Sequence, residues 1–87
     1  MEIASIRHKA LRRFAETGQA KGLIEPARIG RMLSYILFVK SIEELTIPPN
    51  FGFHAMTGDR VGTFAMTVTK NWRLTFTMIG DGVVANL

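Results

Sequence analysis

TGDRVGTFAMTVTKNWRLTF, residues 57–76, reads as a loop, a strand, a tight turn and a second strand. In the first strand Phe64, Met66 and Val68 alternate with Thr63, Ala65, Thr67 and Thr69. In the second, Trp72, Leu74, Phe76 and Met78 alternate with Arg73, Thr75 and Thr77. Alternation with period two, in residues rich in β-branched and aromatic side chains, marks half-buried strands. The same pattern selects a register. A two-residue turn at Lys70-Asn71 would set Val68 against Arg73 and apolar side chains against polar ones. A three-residue turn, Thr69-Lys70-Asn71, sets Val68 against Trp72, Met66 against Leu74 and Phe64 against Phe76. Only the longer turn keeps one face apolar, so it is the one expected, with Trp72 in the core and Asn71 left-handed. The opposite face then carries Thr63, Thr67, Arg73 and Thr75, and is polar, basic and open.

Upstream of this hairpin, Glu2–Ile6 suits a short strand entering a helix. His8–Thr17 is expected to be that helix, with Ala10, Leu11 and Phe14 on one side and Gly18 as its stop. Pro26 fits the first turn of a second helix reaching Val39 or Lys40, because its missing N–H costs little there. Ile29, Met32, Leu33 and Ile36 are its apolar stripe, and Phe38 and Val39 are expected to complete the core, the alternative being part of a partner surface. Ser41-x-x-Glu44 has the capping-box pattern, and Pro48-Pro49 ends any helix there. Phe51–Met56 reads as a strand. Downstream, Asp81-Gly82 is the strongest turn dipeptide, and Val83–Leu87 begins a last strand. The expected class is α+β: two N-terminal helices on one face of an antiparallel sheet of about four strands, in a single domain over residues 1–87.

Composition bounds the function. A chain of 87 residues buries only about 60–65 % of its unfolded surface, so most of its 47 % hydrophobic residues belong to one core. A net charge of +4 favours an anionic partner such as RNA, DNA or an acidic protein. With no cysteine, disulfides, thiolate zinc sites and cysteine nucleophiles are excluded, which permits a reducing cytosol. The N-terminus lacks the apolar core of a signal peptide, and Met32–Val39 is far shorter than the ~20 residues of a membrane span.

The chemistry-bearing residues are few. His8 and His54 are the only imidazoles, and no metal-ligand spacing appears, so neither metal nor cofactor is expected. Gly58-Asp59-Arg60-Val61-Gly62 lacks the Lys-Ser/Thr and the following helix of a phosphate-binding loop. Taken alone, Asp59-Arg60 reads as a turn with a surface ion pair, and His54 as a hydrogen-bonded structural histidine. What remains is a basic set around the open face: Arg60 in the loop, Lys70 at the turn, Arg73 on the strand, and Lys9, Arg12 and Arg13 on the first helix. Guanidinium groups hold phosphates in a bidentate way and stabilise charge developing at phosphorus. His54 is the candidate acid or base beside them.

GDRVG at 58–62 with NWRLTF at 71–76 resembles the GDRxG…NWRxxF signature of the HigB-type killer proteins, within the RelE-like toxin superfamily. RHKALRRFAETG at 7–18, the second helix and the Phe51-x-x-His54 segment extend the likeness over nearly the whole chain. The resemblance implies a compact α+β toxin of a type II toxin–antitoxin system. It implies metal-free cleavage of mRNA in the ribosomal A site, a helix-turn-helix antitoxin of HigA type, and a cytoplasmic setting. Set beside the residues above, Arg73 and His54 are the expected catalytic residues, and Arg60, Lys70, Arg73, Lys9, Arg12 and Arg13 those expected on RNA. Two departures accompany it. Many members carry a lysine where this chain has Thr57. Members usually continue into an acidic strand ending in Asp-Tyr-His, so the chain is expected to lack that catalytic tail and to be impaired. The competing expectations are a non-catalytic module on the same scaffold that binds RNA or an antitoxin, and a basic RNA-binding protein unrelated to toxins.

Overall fold

The computed structural model describes residues 1–47 and 50–87. The elements run β1 (Glu2–Ile3), α1 (Lys9–Thr17), α2 (Pro26–Phe38), β2 (His54–Ala55), β3 (Thr63–Thr69), β4 (Trp72–Gly80) and β5 (Val83–Ala85), with short 3-10 turns at Ile42–Thr46 and Gly58–Arg60. This is the expected α+β arrangement. The sheet order is β1-β5-β4-β3-β2. Strands β2 to β5 form the antiparallel meander. β1 adds a parallel edge beside β5, with Glu2 opposite Val83 and Ile3 opposite Val84.

Each helix follows its stripe. His8 caps α1 by accepting the Leu11 N–H on Nδ1 at 3.2 Å, and Gly18 closes it in the left-handed conformation with φ 80°. Ile29, Met32, Leu33 and Ile36 of α2 are all buried, against Met66, Val68, Leu74 and Phe76 of the sheet. Val39 joins this core, but Phe38 does not: it is 81 % exposed, one residue short of the turn that buries Val39. The Glu44 carboxylate accepts from the N–H groups of Lys40 at 2.7 Å and Ser41 at 3.1 Å, which fixes the turn after α2. The expected strand over Phe51–Met56 shrinks to His54–Ala55, because Phe51 (φ 53°) and Gly52 (φ 69°) turn the backbone out of extended geometry. The helix stop assigned to Pro48-Pro49 lies outside the described residues.

The central hairpin keeps two of its three expected pairs, Met66 with Leu74 and Phe64 with Phe76. The third differs. The turn has two residues, Lys70-Asn71, with Thr69 paired to Trp72, and the register shift falls at a bulge between Thr67 and Thr69. The extra residue, Val68, still reaches the core. A bulge thus reconciles a short turn with an apolar face, which unbulged pairing cannot do. Asn71 is not among the residues with positive φ, so the left-handed position expected of it is not used. Trp72, expected in the core, is 57 % exposed at the end of β4, where the core no longer reaches.

Candidate nucleic-acid interface

Strand alternation sends Thr63, Thr67, Arg73, Thr75 and Thr77 to the face opposite the helices. The threonines are half-buried there, and Arg73 is exposed. His54 sits opposite Ala65, which in turn sits opposite Thr75, so the three share a cross-strand row on that face. Arg73 lies two residues along β4 from Thr75. Strand spacing puts its Cα roughly 12 Å from that of His54, within reach of a shared phosphodiester for two long side chains.

The local chain explains where His54 points. Gly52 precedes it at φ 69°, and a Cβ there would stand 2.8 Å from Thr67 Oγ1. Only glycine lets the segment approach β3 so closely, and the Thr67 N–H donates to the Phe51 carbonyl at 2.7 Å. His54 Nδ1 is 2.9 Å from the Gly52 carbonyl. A carbonyl only accepts, so Nδ1 carries a proton, and in the neutral ring Nε2 is left as an acceptor facing solvent.

The basic residues are spread rather than clustered. Lys70 and Arg73 share the turn end of the hairpin, whereas Arg60, in the Gly58–Arg60 turn, precedes the other end of β3. Seven strand residues separate the two ends, on the order of 20 Å. Lys9, Arg12 and Arg13 are exposed on α1, away from its buried Leu11. The residues that join Arg73 are others, which the sequence did not single out for RNA. Arg7, His8, Trp72, Thr75 and Asn86 line a cleft of about 610 Å³ with it, over an apolar floor that includes Leu11, Ile29 and Val68. The cleft follows an uncovered edge. β5 pairs with β4 only from Thr77 to Gly80. Asn86, at φ 63°, then turns the backbone away, and its N–H donates to Ser5 Oγ at 3.0 Å. Among the described residues, Arg28 is the one arginine whose guanidinium hydrogen-bonds within the protein, which leaves those of Arg7, Arg60 and Arg73 available to a ligand.

Among the described residues, no three His, Cys, Asp or Glu side chains come together as metal ligands, and no helix is long and apolar enough to cross a membrane. Residues 4–87 match the family model described as the RelE-like toxin of type II toxin–antitoxin system HigB. The chain is also 37 % identical, over 89 aligned residues, to a Proteus vulgaris protein named endoribonuclease HigB, covering 97 % of this chain and 94 % of that one.

Proposed function

This chain belongs to the HigB-like family, the RelE-like toxins of type II toxin–antitoxin systems, and on that footing we propose that it is an endoribonuclease that cuts mRNA in the ribosomal A site. Family membership brings a protein antitoxin as partner; the proposed one is of helix-turn-helix, HigA type, with ribosome and mRNA as the other partners and the cytoplasm as the setting. The observation that carries the reading is the exposed Arg73 guanidinium on a polar sheet face, with His54 two strands away. The name of the Proteus vulgaris relative supports ribonuclease chemistry.

The step these residues suit is attack of an RNA 2′-hydroxyl on the adjacent phosphate. The 2′-O–P bond forms, the P–O5′ bond breaks, and a cyclic phosphate and a 5′-hydroxyl result. His54 Nε2 takes the 2′-hydroxyl proton, and the departing O5′ takes a proton from water to become the 5′-hydroxyl. Arg73 holds the non-bridging oxygens and stabilises the charge of the phosphorane-like state. Arg60, Lys70, Lys9, Arg12 and Arg13 hold the RNA or ribosome backbone by charge. With His54 as the acid–base side chain and Thr57 supplying no charge, cleavage is proposed to be slow. The test is incubation with ribosomes carrying a defined mRNA, followed by mapping of RNA ends. Cuts confined to A-site codons support the reading; cuts on free RNA alone, or none at all, overturn it.

A further inference from the structure

Among the described residues, Trp72 pairs with no other aromatic ring. Phe53, Phe64 and Phe76 stack on one another with centroids 5.6–6.3 Å apart, and Tyr35 meets Phe51 at 5.9 Å. Trp72 belongs to none of these pairs, is 57 % exposed, and forms part of the wall of the 610 Å³ cleft. Arg7 and Arg73 line the same cleft. The backbone of Arg7 is held there, its N–H donating to the Leu87 carbonyl at 2.8 Å. An apolar protein surface docking on Trp72 would desolvate two guanidinium groups without pairing them, which costs energy. A ligand with a flat π-face and negative charge beside it satisfies all three side chains at once.

We propose that the cleft takes one unstacked base of single-stranded RNA against the Trp72 indole, with the flanking phosphates held by Arg7 and Arg73. The proposal rests on the ribonuclease reading for the identity of the ligand, and adds Trp72 and Arg7 as RNA-binding residues. Aromatic stacking of splayed bases is how proteins hold single strands whatever their sequence.

The chain has a single tryptophan, so its own fluorescence reports on the site. The probes are an end-labelled hexa-adenylate, followed by anisotropy at low salt, and inorganic polyphosphate, which has the charge without the bases. RNA is expected to quench Trp72, and polyphosphate to bind without quenching. Trp72→Phe is expected to stay within about threefold of the parent affinity, and Trp72→Ala to lose about five- to a hundredfold. Arg7→Ala is expected to lower the salt slope by about one. RNA binding with unchanged fluorescence, equal quenching by polyphosphate, or full affinity in a folded Trp72→Ala overturns the proposal and leaves the ribonuclease reading standing. Quenching by a cognate antitoxin but not by RNA assigns the cleft to a protein and overturns it too. Absence of any RNA binding, free or on the ribosome, overturns both.

Discussion

The guanidinium of Arg28 donates twice to the carbonyl oxygen of Thr67, from Nε at 3.2 Å and from Nη2 at 3.0 Å. Its Cζ also lies 4.9 Å from the centroid of the Phe51 ring. Thr67 is where the β3–β4 ladder becomes irregular, and it is the residue paired with Arg73. The contact therefore pins α2 to the bulge, and the bulge sets the position of Arg73. Charged hydrogen bonds of this kind contribute about 1.5–3 kcal/mol, with a smaller cation–π term. Arg28→Ala is expected to lower stability by about 2 kcal/mol, read as a shifted urea midpoint at unchanged slope. Arg28→Lys should recover little, since an ammonium cannot reproduce the fork. An unshifted midpoint in Arg28→Ala would show that the bulge holds without the tie.

Gly52 and His54 make a second test, because the first positions the second. Gly52→Ala forces a Cβ to 2.8 Å from Thr67 Oγ1 at a φ of 69°. It is expected to cost at least about 1 kcal/mol and to move His54 off the sheet face. His54 is exposed, so His54→Ala should leave stability within about 0.5 kcal/mol. Cleavage should nonetheless fall about 10²–10⁴-fold with RNA affinity unchanged, the signature of lost proton transfer. Equal rates in His54→Ala and the parent would remove His54 from the mechanism.

Periodicity in the sequence reveals the two helices and their buried stripe, and the Asp81-Gly82 dipeptide the β4–β5 turn. It also yielded the Met66–Leu74 and Phe64–Phe76 pairs. The bulge was not legible, because Thr67-Val68-Thr69 continues the alternation without a break and only the turn length betrays it. A three-residue turn would bury Trp72; the two-residue turn with its bulge leaves it exposed. The parallel pairing of β1 with β5 joins residues about eighty apart in sequence and leaves no local trace. The same pairing brings Arg7 and His8 beside Arg73, so the cleft could not be read from a pattern of charges.

The distance between Arg60 and Arg73 makes their effects separable. They stand near opposite ends of β3, on the order of 20 Å apart, beyond the range at which substitutions couple. Arg60→Ala and Arg73→Ala should each weaken ribosome co-sedimentation and each lower the salt slope by about one, additively in the double variant. Only Arg73→Ala should also slow cleavage at saturating ribosome. Unchanged low-salt binding in the double variant, with the circular dichroism of the parent, would mean that another surface meets the ribosome.

Any cleavage should be indifferent to chelators. The expectation comes from the donor set: among the described residues no His, Cys, Asp or Glu triad forms, and the proposed step needs only a base and a cation that the side chains supply. The assay uses a pre-assembled ribosome complex kept intact in EDTA, with ribosome integrity checked by sedimentation. Activity lost in EDTA and restored by a divalent ion would place a metal in the reaction.

Among the described residues, the edge of β4 beyond its pairing with β5 is open to a further strand. β5 pairs with β4 only over Thr77–Gly80, after which Asn86 turns away at φ 63°. From Trp72 to Thr75 the strand therefore has a ladder on its β3 side alone among the described residues. Adding the acidic strand ending in Asp-Tyr-His after Leu87 offers this edge a partner, and its carboxylates would meet the unpaired guanidinium of Arg73. Each new cross-strand pair contributes roughly 0.2–1 kcal/mol, so the extended chain should be the more stable and the less prone to self-association through the edge. Chemistry should gain more than folding. A second imidazole near Arg73 supplies the acid that His54 alone does not, and a positioned proton donor contributes about 10²–10⁴-fold. Induced without an antitoxin, a chain extended in this way is therefore expected to slow growth more strongly than residues 1–87 alone. The comparison requires matched soluble levels and mapped mRNA ends. If the 87-residue form arrests growth as strongly and cuts the same codons, His54 and Arg73 suffice, and the added strand has no catalytic part.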